Sequence, residues 1–167
     1  MSVKRYLASG AITAAAAVAL AGAAFATPGS SAVGTVMARA SFTDRVDLGI
    51  RMKHDGKTQV INFLHAQDTV MQQIVIGPGG HTGWHSHPGP AIALIKSGEL
   101  TLYSSDDPNC EGHPYGVGQS FIDPGQGHVH MGRNLTNQTT EVWVTYLDVP
   151  PGQSVRLDAA DPGNCLF

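Results

Sequence analysis

The chain has 167 residues, with ten lysines and arginines against thirteen aspartates and glutamates and a formal net charge of −3. The charges are scattered without long runs, so no basic face suits DNA, RNA or anionic lipid, and nucleic-acid binding is excluded as an expectation. The length suits one domain with a sizeable core.

Lys4 and Arg5 precede an alanine-rich apolar run from Leu7 that ends in Ala24-Phe25-Ala26, a small-x-small pattern. This reads as a secretory signal peptide over 1–26, cleaved after Ala26. The run is about twenty residues long, but Ser9, Gly10 and Thr13 interrupt an otherwise alanine-rich stretch, so its drive to stay in a bilayer is weak. A secreted chain with no stable membrane anchor is therefore expected. Removing Lys4 and Arg5 takes the formal charge of residues 27–167 to −5.

Thr27 to Gly34 is rich in Pro, Gly and Ser and is expected to be a flexible arm, which leaves 35–167 as a single domain. From there the periods are those of strands. Val46, Leu48, Ile50 and Met52 alternate with Asp47, Gly49, Arg51 and Lys53, the half-buried β pattern. Thr58 to Leu64, Val70 to Ile76, Ala91 to Lys96, Glu99 to Tyr103 and Glu141 to Leu147 continue the series, separated by Gly, Pro, Asn and Asp. No stretch after the leader keeps a 3.6-residue period. The class is all-β, and a jelly-roll-like barrel is the closed form that removes exposed edges. Asp106 to Gly118 is the longest unpatterned connection and is expected to form a rim loop carrying Cys110 and His113.

Cys110 and Cys165 are the only cysteines, and both lie in turn-rich surroundings. In an exported chain an even pair reads as a disulfide. Closing a loop of about 55 residues would contribute ~4 kcal/mol in the chain-entropy picture.

The stretch that carries chemistry is Gly79 to Gly98, GGHTGWHSHPGPAIALIKSG. His85 and His87 are two apart, so on an extended strand both imidazoles leave the same face and can share one metal ion. A second run, Gly127-His128-Val129-His130, follows an Asp-Pro-Gly turn and can supply a third imidazole from a facing strand. His54, His65 and His113 have no partner spacing and are expected to be ordinary histidines.

These residues resemble the two motifs of the cupin superfamily. Gly79-x5-His85-x-His87-x3-Ala91-x6-Gly98 is similar to the first motif, except that Ala91 stands where that motif has glutamate. Gly118-x5-Pro124 followed by Gly127-x2-His130-x3-Asn134 is similar to the second, with one extra residue between Pro124 and Gly127. The resemblance spans about a third of the chain. It implies a double-stranded β-helix barrel and a divalent transition metal, Fe, Mn, Ni, Cu or Zn, held by His85, His87 and His130. His130 alone fits both spacings of the second motif, yet the extra residue could exchange its role with that of His128.

Ala91 removes the fourth ligand that the resemblance implies. An all-imidazole site leaves a divalent ion its full charge, which favours acidifying a bound water or attracting an anion. One of Gln72 and Gln73 must face inward on an alternating strand and is a candidate substitute. Cupins include dioxygenases, isomerases and metal-free modules, so a small-molecule dioxygenase or isomerase is expected, with a non-catalytic ligand- or partner-binding module as the alternative and a zinc hydrolase as a third reading. No residue presents itself as a general base. A small-molecule ligand and a possible homodimer complete the expectation.

Overall fold

The computed structural model describes residues 26–54 and 57–167, so the signal peptide expected over 1–26 lies, apart from Ala26, outside the described residues. Among the described residues there are strands and no helices, and none long and apolar enough to cross a membrane as a helix. The strands are β1 (Ser30–Ala40), β2 (Leu48–His54), β3 (Lys57–Phe63), β4 (Asp68–His81), β5 (His85–Ser86), β6 (Ala91–Ser97), β7 (Glu99–Ser104), β8 (His113–Gly116), β9 (Ser120–Asp123), β10 (His130–Arg133), β11 (Thr140–Val149) and β12 (Leu157–Asp158). Ten of them make one antiparallel sheet that curls into a nearly closed barrel, in the order β12-β5-β10-β4-β11-β6-β9, with β1 added on β4, β7 on β10 and β8 on β7. The strands β2 and β3 form a separate hairpin.

Alternation builds the barrel. Along β6, Ala91, Ala93 and Ile95 are buried while Ile92 and Leu94 face out, and on β11 Val142, Val144 and Tyr146 are buried while Trp143 is outside. Their inner side chains meet Val70 and Ile76 of β4 and Leu100 of β7 in one apolar cluster. Each fully buried aliphatic side chain here contributes roughly 1.5–3 kcal/mol. A second cluster, Ile61, Phe63 and Ala66, stabilises the hairpin's own inner face.

The first motif's last glycine and the second motif's turn have backbone reasons. Gly98 has φ +72 between β6 and β7, and a Cβ there would lie 2.6 Å from Thr140 Oγ1. Gly125 has φ +65, and a Cβ there would lie 2.0 Å from the Gly89 carbonyl oxygen. Only glycine fits either position. The second contact seats the Asp123-Pro124-Gly125 turn directly on the Gly89-Pro90 segment, bringing the two motifs together.

Asn134 closes the same junction. It is fully buried, with Nδ2 within hydrogen-bond distance of the carbonyls of Ile76, Gly77 and Gln138, while its Oδ1 accepts from the Thr136 backbone and hydroxyl. The Asn134 and Thr136 side chains are thus used inside the fold.

Two expectations are corrected. The arm expected over 27–34 is held in place: Ser30 to Gly34 begin β1, paired with β4 up to Ser30↔His81, and Thr27 exchanges bonds with Ala159 and Trp84. Its Pro, Gly and Ser content concealed a strand because the pairing partner, not the residue type, supplies the stability. The rim loop expected over 106–118 is a loop only to Gly112, since His113 to Gly116 pair with β7 as β8. Cys110 and Cys165 are joined, tying that loop to the C-terminal tail.

Candidate metal centre

Register places the histidines. His85 of β5 lies directly opposite His130 of β10, and His87 follows two residues on with its ring on the same side. The three ring centroids are 4.9, 4.5 and 5.0 Å apart, close to an equilateral triangle, and all three side chains are buried. One nitrogen from each lies within 4.8 Å of the others.

The back of each ring is engaged. His85 Nδ1 lies 2.9 Å from the Gly83 carbonyl oxygen and His87 Nδ1 lies 2.7 Å from that of Val155. A carbonyl only accepts, so both Nδ1 atoms carry the proton and both Nε2 lone pairs are free. His130 Nδ1 faces Asp123 Oδ2 at 3.1 Å, within ion-pair range though without hydrogen-bond alignment. This arrangement of acceptors behind imidazoles is the one that orients metal ligands. Burial and the neighbouring rings, His130 first, push His85 down to about 2 and His87 to about 4. Both are neutral at physiological pH, the form in which imidazole binds an ion.

His128 is different. Its Nδ1 is 2.6 Å from Asp123 Oδ2 and its Nε2 is 2.8 Å from Ser104 Oγ. The Asp123 carboxylate raises the His128 pKa, and the hydrogen bond from His128 holds Asp123 well below the usual carboxylate range despite its burial. Asp123, His128 and His130 also lie close enough to hold an ion. Both His128 ring nitrogens are already turned to oxygen partners, however, Asp123 and Ser104, so the His128–Asp123 pair reads as one that orients His130. The geometry groups His130, not His128, with His85 and His87.

Ala91 sits on the wall of the inner cavity, level with Tyr146 on one side and Asp123 on the other. Among the described residues, no carboxylate joins His85, His87 and His130 in place of the glutamate that Ala91 lacks. Asp123 serves the far side of His130, and Gln72, the inward one of the two glutamines, accepts the Tyr146 hydroxyl at 3.0 Å, whereas Gln73 bonds Glu141 on the outer face. Tyr146 packs its ring 4.9 Å from that of His87, and burial raises its pKa. His81 accepts from the Gly83 backbone and braces the turn before β5. Trp84 packs with Met131 and Cys165 behind His85.

Above His85 and His87 opens a cavity of about 410 Å³, whose wall includes Ala32, Ile74, Gln72, Tyr146 and Arg156. Sequence reasoning missed Asp123, Val155 and Arg156. Asp123 was visible only as a turn former before Pro124, and the segment 150–158 carries no motif.

A nearly closed antiparallel barrel with both histidine motifs on facing strands is the cupin, or double-stranded β-helix, architecture. The sequence matches no family model and no curated protein. Solved structures similar to it include the polyketide cyclase RemF from Streptomyces resistomycificus, 20% identical over 54% of this chain and 59% of that one, with a TM-score of 0.45. An oxalate oxidase is 21% identical over 48% of this chain and 42% of its own, with a TM-score of 0.43. A cupin domain from Bordetella pertussis Tohama I is 19% identical over 72% of this chain and 94% of that one, with a TM-score of 0.47. The match thus spans under two thirds of the cyclase and of the oxidase, and all three are likenesses of architecture alone.

Proposed function

We propose that the chain is an exported cupin that binds a divalent transition metal through the Nε2 atoms of His85, His87 and His130, and that the ion meets a small organic molecule in the cavity above. The observation that carries this is the engagement of all three Nδ1 sides, by Gly83, Val155 and Asp123, which leaves three Nε2 atoms for one centre. Three imidazole nitrogens suit Zn, Cu, Fe or Ni better than Mn, which prefers carboxylate oxygen. When bound, the ion would supply Lewis acidity to a ligand in its open positions. The chain's own contribution is orientation and exclusion of water: Tyr146 and Ala91 wall the centre, and Asp123 fixes His130.

Oxygenation or isomerisation is the activity this proposal entertains, with the ion rather than a side chain doing the chemistry. No general base lines the centre among the described residues, because the Tyr146 hydroxyl is spent on Gln72 and Asp123 lies behind His130. That same observation favours a non-catalytic ligand-binding module as second reading. The Cys110–Cys165 bond suits an oxidising compartment and supports export. Exposed Leu94 and Trp143 on the outer face of β6 and β11 support the homodimer, which sedimentation tests.

Elemental analysis of the full chain beside His85→Ala and His130→Ala tests the site. Near-stoichiometric metal, lost in both variants, is expected. Equal metal in all three would refute it. Turnover lost in His130→Ala with the fold retained separates enzyme from module.

A further inference from the structure

Arg156 is held over the centre by the elements that build it. Its predecessor Val155 gives its carbonyl to His87 Nδ1, and its successors Leu157 and Asp158 pair with Ser86 and His85 of β5. Asp158 Oδ1 takes the guanidinium Nε at 2.5 Å, which fixes the fork. What remains is a buried Nη2 with no hydrogen-bond partner among the described residues, on a side chain that lines the cavity beside His85, His87 and Tyr146. A buried donor left unpaired is destabilising, more so when charged, unless something accepts from it.

Arg39, the other cation on this cavity, has no such capacity. Its Nη1 pairs with Asp68 at 3.1 Å and its Nη2 donates to the Gln153 carbonyl at 2.5 Å. Also lining the cavity, the Gln72 amide spreads over Gly34, where a Cβ would lie 2.5 Å from Nε2. Ala32 and Ile74 add apolar side chains to the same lining. An arginine with a free, buried Nη2, an amide and apolar side chains lining the same cavity match an anion with a small carbon body.

We propose that Arg156 is the anion-recognising side chain of the cavity and that the molecule held over the three imidazoles is a small organic carboxylate. This rests on the metal reading for the ligand's second contact, but the Arg156 contact stands without it.

The test uses the full chain loaded with cobalt(II), titrated with propionate, propionamide and inorganic phosphate and followed by the metal's visible absorption, beside Arg156→Gln and Arg156→Lys. The metal-free chain is titrated in parallel by NMR at the Arg156 Nε–H resonance. Propionate is expected to bind the native chain at least tenfold tighter than Arg156→Gln, with Arg156→Lys between them, propionamide not binding, and cobalt content and melting temperature equal throughout. Equal propionate affinity in native chain and Arg156→Gln overturns the proposal, as does propionamide binding as tightly as propionate. Phosphate binding more tightly than propionate overturns the carboxylate assignment. If cobalt does not bind, the metal reading fails alone, and the NMR arm still decides: propionate shifting the Arg156 resonance supports the inference and its silence overturns it.

Discussion

Asp123 does more for the centre than its position in a turn suggests. It accepts from Gly125, pairs with His128 and faces His130, so one buried carboxylate sets both the turn and the ligand ring. Asp123→Asn keeps the shape and loses the charge, and metal affinity is expected to fall about 10–100-fold in a competition titration against a chromophoric chelator. Unchanged affinity would reduce Asp123 to a turn former. Ala91→Glu tests the opposite change: the metal-free variant should melt below the native chain because it buries a lone carboxylate, and added metal should raise its melting temperature more than the native chain's. An equal rise in both would mean that position 91 does not face the ion.

Strand by strand, the fold was legible where alternation ran long enough, in β4, β6, β7 and β11 of the barrel and in β2 and β3 of the separate hairpin. The elements that escaped are short or lack a pattern. Two-residue β5 and β12 exist because the histidine turn must pair with something, and β1 pairs with β4 despite a glycine- and serine-rich start. The side-by-side placement of His85 and His87 was legible because period two is a property of the chain itself, and their grouping with His130 only through the resemblance to the second motif, which left His128 open. What sets their tautomers was not, since Val155 reaches His87 across 68 residues. At this scale Asn134 carries a prediction. Asn134→Ala strips the Ile76, Gly77 and Gln138 carbonyls of their donor in a buried place, and urea denaturation should show a loss of about 2–4 kcal/mol. A loss under about 0.5 kcal/mol would show that β4 and β10 hold together without it.

For the molecule as a whole, acid and reduction are the informative stresses. The unfolded chain takes up protons near pH 6.5 that native His85 and His87 refuse until about 2 and 4. The metal-free protein should therefore lose stability as pH falls from about 6.5, by ~1.4 kcal/mol per unit for each group, with the His87 part ending near pH 4. The His128–Asp123 pair runs the other way for its histidine: its contribution is full below pH 6.5 and fades only as pH rises through the raised His128 value, so it does not cause the acid loss. Chemical denaturation from pH 7.5 to 4.5 checks this, and flat stability would mean the two imidazoles titrate freely. Reducing Cys110–Cys165 should cost up to ~4 kcal/mol and loosen the Trp84 cluster behind His85. Trp84 is one of only two tryptophans, so fluorescence follows both events.

The most direct test of the central claim is a crystal structure of the full chain grown with one equivalent of zinc and recorded on both sides of the zinc absorption edge. A single anomalous peak is expected about 2.0–2.1 Å from the Nε2 atoms of His85, His87 and His130. A peak among Asp123, His128 and the other face of His130, or no peak inside the barrel, would contradict it.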